Sequence, residues 1–272
     1  MFADFMVNAW LSGTIVAVLA GAVGFFVVAR GASFAAHAIP NGAFAGAAGA
    51  GLLGWNPLLG LVPFALAAAA IIGAGSRRAR SDATTALTLV GMLALGSAFL
   101  AVGSNYEPSV ISLLFGEVLG VSSSELGPLV VLAVAVVVAL ALGHRPLWYT
   151  TASPELAVTR GVRVAWVDAG FLVVLALSTA LTVPVVGALL TFALMVGPPA
   201  AVQLLVTRPG LAFAGSVGAS VVVVWLSIAG SYEVNWPIGF FVGVVSAALF
   251  VAALAAVALR SRVARPVSTA PA

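Results

Sequence analysis

The chain has 272 residues, of which 62% are hydrophobic and only 7% are charged. A water-soluble domain carries about 25% charged residues, so this composition excludes a soluble enzyme and a nucleic-acid-binding protein. It predicts an all-α, polytopic membrane protein with a single transmembrane domain over residues 1–272, because eight or nine spans of ~20 residues would use most of the length.

Two residue types are absent, and each absence excludes a class of chemistry. Without cysteine, the chain has no disulfides, no thiolate metal site and no thiol nucleophile. It also lacks lysine, since all eleven basic residues are arginine. A phosphate-binding loop needs its lysine on the nucleotide phosphates, so any ATP that drives this protein is hydrolysed by another polypeptide. We therefore expect neither enzyme activity nor a bound cofactor on this chain.

The first apolar run, residues 9–29, ends at Arg30 and has no basic residue before it, so it predicts a retained span and not a cleaved signal peptide. Four further spans follow at 34–54, 57–75, 84–103 and 128–143, and four more at 166–183, 186–206, 211–230 and 238–259. A broken helix at Pro184 or near residues 55–57 would reduce these nine spans to eight, and that count stays open.

The arginines predict the orientation of these spans. Arginine-rich short loops stay in the cytoplasm, and each gap between arginine clusters is long enough for two spans. All clusters therefore lie on one side, with the N-terminus outside and a cytoplasmic C-terminal tail at 260–272. The clusters are Arg30; Arg77, Arg78 and Arg80; Arg145, Arg160 and Arg163; Arg208; and Arg260, Arg262 and Arg265.

The predicted outer loops carry acidic residues without arginine. Such acids either keep the loops hydrated or form a vestibule that concentrates cations or docks a partner. The residues are Asp4, Glu107, Glu117, Glu125 and Glu233.

Residues 30–51 depart from a plain lipid-facing helix. His37 is the one imidazole in the predicted spans, and Pro40, Asn41 and Gly42 beside it favour a kink that frees backbone carbonyls. An ionisable group at membrane depth usually faces a bundle interior or a water-filled path, and a neutral imidazole is a common metal ligand. A histidine bonded to a neighbouring carbonyl is the alternative. The glycines in this segment predict close helix packing.

Residues 109–129 are apolar but too short to span, and they predict an interfacial or re-entrant segment that borders a binding partner on the outer side. In residues 191–205 the pair Pro198 and Pro199 predicts an irregular backbone covered by protein.

Residues 150–168 predict a short helix, at about 154–160, in a cytoplasmic loop between two spans. Ser153 is a typical N-cap, Pro154 suits the first helical position, and Gly161 is typical of the residue after a helix end. A helix of two turns is not stable alone in water, so we expect a partner surface to cover it. A helix lying on lipid headgroups is the alternative.

Four blocks of the sequence resemble the permease subunit of the bacterial metal-uptake ABC importers, the zinc, manganese and iron family. They are residues 30–50, 109–126, 153–168 and 187–205, and they occur in family order. LLFGEVLGVSSSEL is similar to the L-F-G-x-x-L-G-V-S stretch of the family. SPELAVTRGVRVAWVD is similar to its D-P-E-x-A-x-x-x-G-V coupling segment, and VGALLTFALMVGPPAAVQLL to its V-G-x-L-L-x-x-A-L-L-x-G-P-A-A-T run.

The resemblance implies an ABC-importer permease fold and a homodimer of the permease. It also implies ATPase subunits on the cytoplasmic face and an extracellular metal-binding protein. Force from the ATPases would pass through the coupling helix, at Ser153, Pro154, Glu155, Leu156 and Gly161.

The resemblance further implies a metal path beside a helix that carries D-x-x-x-H. His37 matches the histidine, whereas Ser33 stands where aspartate is usual. The proline of the family pattern arrives one residue early, as Pro40, and is followed by Asn41. His37 is then the path ligand for a divalent metal ion, with Ser33 and Asn41 as helpers.

The sequence thus predicts the multi-pass permease of an ATP-driven importer for zinc, manganese or iron in the cell membrane. One alternative is an ion- or proton-coupled secondary transporter that uses His37 as a relay, although acidic residues at the midplane, which such proteins usually need, are not predicted. A second alternative is an intramembrane hydrolase, since Ser33 and His37 are four residues apart, although no orienting acid is evident.

Overall fold

The computed structural model describes residues 4–76, 81–103, 114–116 and 118–263. In these ranges the chain forms ten α-helices, one short 3-10 helix at Val118–Gly120 and no strand. The helices are α1 Asp4–Ala29, α2 Ser33–Leu52, α3 Leu58–Ser76, α4 Ser81–Val102, α5 Ser123–Ala152, α6 Pro154–Thr159, α7 Val164–Val186, α8 Ala188–Leu205, α9 Pro209–Val234 and α10 Ile238–Val263.

The all-helical, polytopic prediction is confirmed. Every helix except the six-residue α6 coincides with one of the nine predicted spans. Seven of the described helices are long and apolar enough to cross a membrane. The predicted spans at α2 and α8 are not among these seven, so nine is an approximate number of transmembrane helices. Helix α2 packs against α3, α4, α7 and α8, and most of its residues are buried. Because protein surrounds it, this helix can hold polar side chains at membrane depth.

The centre of the bundle lies along α1 and α7. In the apolar stretch of each, 72% of the residues are buried, compared with 11% for α5 and 17% for α10. Helix α1 packs against α5, α7, α8 and α9. Of the seven candidate spans, the peripheral helices α5 and α10 therefore bury the smallest share of their apolar stretches.

Close packing at the glycines of α2 is confirmed. A Cβ added to Gly46 would lie 2.1 Å from the carbonyl oxygen of Gly60 on α3, and one added to Gly60 would lie 1.9 Å from the carbonyl oxygen of Gly46. At Gly42 the added atom would lie 2.7 Å from Cβ of Ala68. At Gly46 and Gly60 the two backbones approach this closely because neither residue has a side chain.

We expect Gly46→Val to destabilise the protein by about 3 kcal/mol or more, because overpacking a rigid contact forces backbone shifts. Thermal unfolding in detergent measures the loss. The matched control is Gly91→Ala on α4, where an added Cβ meets nothing within 4 Å and alanine is the better helix former. Equal melting temperatures for the two variants would show that the α2–α3 contact is not tight.

The irregular backbone predicted at Pro198 and Pro199 is wrong, since α8 continues through both prolines. Proline at 199 removes the N–H that would bond the carbonyl of Met195. That carbonyl instead packs against Gly24 of α1, where an added Cβ would lie 2.1 Å from its oxygen. The missing side chain of Gly24 leaves room for this carbonyl at the contact between α1 and α8, and the helix does not break. The kink favoured at Pro40 likewise leaves α2 unbroken.

The boundary between the last two central spans is also corrected. The sequence predicts a turn or a broken helix at Pro184, but α7 continues through that residue and ends at Val186. The break is at Gly187, which has φ +96°. This residue follows the last residue of α7 and precedes the first residue of α8. Only glycine adopts this backbone readily.

Several predicted features fall partly or wholly outside the described residues. They include Arg77, Arg78 and Arg80, the acids Glu107 and Glu117, and residues 109–113 of the segment 109–129. At the C-terminus, α10 extends to Val263, three residues past the predicted start of the tail at 260; the rest of the tail is not described.

Candidate transport path and coupling helix

His37 lies on α2 where that helix meets α8. Its ring is half-buried and packs edge to face against Phe192 of α8, with ring centroids 4.9 Å apart. The predicted path residue therefore lies between α2 and α8, and protein covers part of its ring.

Asn41 lies one helical turn after His37. Its side-chain Nδ2 donates a hydrogen bond to the backbone carbonyl of His37 at 2.8 Å, and the residue is only 2% exposed. Its Oδ1 is buried and receives no hydrogen bond from the described residues. Leaving a buried acceptor unsatisfied costs about 1–3 kcal/mol, and this oxygen carries that cost within the part of the chain that the structure describes.

Ser33 is the first residue of α2 and is partly exposed. Ser33, His37 and Asn41 follow each other at intervals of four, which places them along one stripe of the helix. Among the described residues, no three His, Cys, Asp or Glu side chains come together as a metal site. The structure thus aligns the three predicted residues, and a metal that passes them would meet one imidazole and neutral oxygen ligands.

The short helix α6 has the N-cap residue and the glycine after its end that the sequence predicts. The N–H of Leu156 bonds to Ser153 Oγ at 3.3 Å, with Pro154 in the first position. Gly161 has φ +76° just after the end. The helix finishes at Thr159, one residue earlier than predicted.

Helix α6 has one face on the bundle and one face open. Ala157 is buried, whereas Leu156 and Val158 are 65% and 62% exposed; Glu155 is exposed beside them. Leu156 and Val158 are thus exposed apolar side chains outside the spanning helices.

The sequence reasoning missed the interactions of Arg30. Its guanidinium pairs with the carboxylate of Asp168 on α7 and donates hydrogen bonds to two threonines at the end of α5, Thr150 and Thr151. Burial lowers the pKa of Arg30, and the Asp168 carboxylate acts in the opposite direction. The available signal was Asp168, an acid on the side where the arginines cluster.

Arg30 contacts the two helices on either side of α6, and further contacts extend this end of the bundle. Gln203 near the end of α8 donates a hydrogen bond to the carbonyl of Phe25 at 3.0 Å. Trp148 and Phe213 both pack on the ring of Phe25. We call this region, which holds Arg30, the end of α8 and the flanks of α6, the arginine end.

The opposite end contains a contact between two of the motif blocks. An added Cβ at Gly187 would lie 2.5 Å from the carbonyl oxygen of Leu114, and one at Gly116 would lie 2.3 Å from the carbonyl carbon of Val186. The L-F-G segment at 114–116 therefore packs directly on the α7–α8 break.

Gly187→Ala is expected to destabilise the protein by about 2 kcal/mol or more, because it adds steric overlap to a left-handed backbone position. The melting temperature of the purified protein measures this effect. Gly218→Ala, on α9 with open space around the added atom, is the control and should unfold like wild type. A Gly187→Ala protein as stable as that control would contradict the contact.

Comparisons with known proteins agree with this architecture. The model of the ABC 3 transport family matches residues 2–257. The manganese import system permease protein ScaB of Streptococcus parasanguinis is 29% identical over 250 residues, which cover 90% of this chain and 88% of ScaB. The manganese transport system membrane protein MntC of Listeria monocytogenes is 27% identical over 207 residues, 75% of this chain and 74% of MntC.

A solved structure is similar over nearly its whole length. It is PsaBC from Streptococcus pneumoniae in complex with Fab, with a TM-score of 0.83 and 25% sequence identity. The match covers 93% of this chain and 92% of that chain. Since the family model covers almost the entire sequence, the chain belongs to the ABC 3 transport family.

Proposed function

We propose that this chain is the membrane permease of an ATP-driven manganese importer. The observation that carries the proposal is the end-to-end likeness to manganese permeases, with the fold of PsaBC over 93% of the chain. The chain forms the translocation path and leaves ATP hydrolysis to a separate subunit, since it has no lysine for a phosphate-binding loop.

The stripe on α2 supports a divalent ion as the transported substrate. His37 supplies an imidazole, and Asn41 Oδ1 is a buried oxygen whose hydrogen-bonding capacity is unused among the described residues. Oxygen ligands suit Mn²⁺, and imidazole binds first-row metals generally. Without the usual aspartate at Ser33, these ligands bind the ion weakly, which suits a group that must also release it. Zinc and iron are the competing substrates.

Three protein partners complete the proposed transporter. ATPase subunits cover α6 on the cytoplasmic side, which is the arginine end. An extracellular metal-binding protein docks on the opposite end, near the L-F-G segment at 114–116. A second copy of the permease gives the homodimer that two ATPases require. The N-terminus is then outside and the C-terminus cytoplasmic.

The test is uptake of radioactive Mn²⁺ into proteoliposomes that contain the permease and its ATPase partner, with the metal-binding protein added outside. We expect uptake that requires ATP and ceases when the catalytic glutamate of the ATPase is replaced by glutamine. Zn²⁺ and Fe²⁺ in competition rank the substrates.

The same preparation distinguishes the alternatives. Uptake that continues without the ATPase and follows an imposed proton gradient would contradict the proposal and favour a secondary transporter with His37 as relay. Loss of a hydrolytic activity in Ser33→Ala, with uptake unchanged, would favour the hydrolase.

A further inference from the structure

The guanidinium of Arg30 contacts both ends of the segment that carries α6. Nη1 donates to Thr150 Oγ1 at 2.7 Å and to Thr151 Oγ1 at 3.2 Å, and Nη2 donates to the Asp168 carboxylate. The threonines are in the last turn of α5, and Asp168 is in the second turn of α7. The chain between these partners consists of α6 and its turns, so Arg30 connects the two sides of that loop.

The surroundings of Arg30 hold the guanidinium in one place. Its side chain is 11% exposed, and Thr150 is 4% exposed. The Thr150 hydroxyl donates to the carbonyl of Pro146 at 2.9 Å, which turns an oxygen lone pair towards the guanidinium. The ring of Phe171 lies 5.2 Å from the guanidinium carbon. Charge-assisted hydrogen bonds from a planar guanidinium are strong and directional.

The backbone of Arg30 is coupled to the start of α2. Helix α1 ends at Ala29. Gly31 follows with φ +66°, and the N–H of Ala32 bonds to the carbonyl of Val27 at 2.8 Å. This is the bond of a Schellman C-cap. The carbonyl of Ala32 in turn accepts from the N–H of Ala36 at 3.0 Å. The link between the two helices is therefore short and fixed by hydrogen bonds.

His37 lies only seven residues beyond Arg30 and four residues after the start of α2 at Ser33, which is about 6 Å at the helical rise of 1.5 Å per residue. A displacement of the Arg30 backbone therefore shifts the first two turns of α2, where His37 packs on Phe192 of α8. Helix α6 packs on α5 and α7. Arg30 thus joins the two helices that hold α6 to the helix that carries His37.

We propose that Arg30 is a positioning residue, paired with Asp168, that transmits movement of α6 to the path helix α2. This inference rests on the proposed function, in which the ATPases move α6. When α6 moves, the ends of α5 and α7 move with it. The Arg30 guanidinium is bonded to both of these ends, so it transmits the displacement to the link between α1 and α2. The pair sets how much metal crosses for each ATP hydrolysed.

The experiment measures Mn²⁺ taken up per ATP hydrolysed in proteoliposomes with the complete complex. Asp168→Asn keeps the size of the side chain and removes its charge, and we expect about fivefold fewer ions per ATP, a usual magnitude for coupling between sites. Asp168→Glu restores the charge and should recover most of the ratio. Arg208→Gln, an exposed arginine at the same end, is the matched control and should keep the wild-type ratio.

A purely structural role would lower the melting temperature and the yield of complex while the ratio stayed at the wild-type value, and that result would overturn the inference. If Asp168→Asn fails to assemble, Arg30→Lys supplies the test, because lysine keeps the charge but has no planar fork to reach both partners. The same fall in ratio is expected, and an unchanged ratio would overturn the inference. Wild-type uptake independent of ATP would reject the proposed function instead.

Discussion

Replacing Leu156 by aspartate is expected to abolish Mn²⁺ uptake by separating the permease from its ATPase. Leu156 is 65% exposed on α6, so the change leaves the permease fold intact. In the complex the same side chain would enter an apolar contact, and placing a charge at the centre of an interface costs about 2 kcal/mol or more. Co-purification of the ATPase with the permease measures the loss.

Leu156→Met is the matched control, because methionine keeps the volume and the apolar character. It should bind the ATPase and transport like wild type. The melting temperatures of both variants without the ATPase should equal that of wild type. Normal ATPase binding and uptake by Leu156→Asp would contradict the role of α6 as the coupling helix.

His37→Ala is expected to lower the rate of Mn²⁺ uptake by about tenfold or more, a change of about 1.4 kcal/mol, because it removes the one imidazole from the stripe on α2. Asn41→Leu, which removes the unsatisfied oxygen, should also slow uptake. Initial rates in cells at low external Mn²⁺ measure both effects.

Two comparisons separate ion contact from packing in these variants. Phe192→Leu disturbs the neighbour of the His37 ring without removing a ligand, and we expect a smaller loss. Ser33→Asp restores the carboxylate of the family pattern one turn before His37, and we expect tighter Mn²⁺ binding. Equal uptake by His37→Ala and wild type would remove His37 from the path.

The sequence predicts the helices well because each depends on local composition. Runs of ~20 apolar residues between arginine clusters locate α1, α3 and α4 without knowledge of their neighbours. The ends of α6 are likewise local, since Ser153 and Gly161 act on the backbone within one turn. These features need no tertiary information.

The errors arose where a distant segment decides the outcome. The prolines at 198 and 199 lie in an unbroken α8, where Gly24, far away in sequence, leaves room for the freed carbonyl of Met195. The break after α7 lies at Gly187 and not at Pro184, since the L-F-G segment packs against it. Periodicity and local turn signals do not contain these contacts.

In the candidate site, too, some features follow from local sequence and others depend on distant segments. The alignment of His37 and Asn41 on one stripe follows from helical spacing alone. The pairing of Arg30 with Asp168 joins residues 138 positions apart, and the unused Oδ1 of Asn41 depends on what surrounds it in the bundle. Neither could be found without three-dimensional contacts.

The most direct test of the account is cross-linking from single introduced cysteines. Because the chain has no cysteine of its own, every labelled or cross-linked thiol of the permease is at the introduced position. Leu156→Cys is expected to form a cross-link to the ATPase subunit and to resist a membrane-impermeant maleimide in intact cells. Val234→Cys, exposed at the far end of α9, should show the reverse. Labelling of Leu156→Cys from outside the cell, or a cross-link to the ATPase from position 234 alone, would contradict the account.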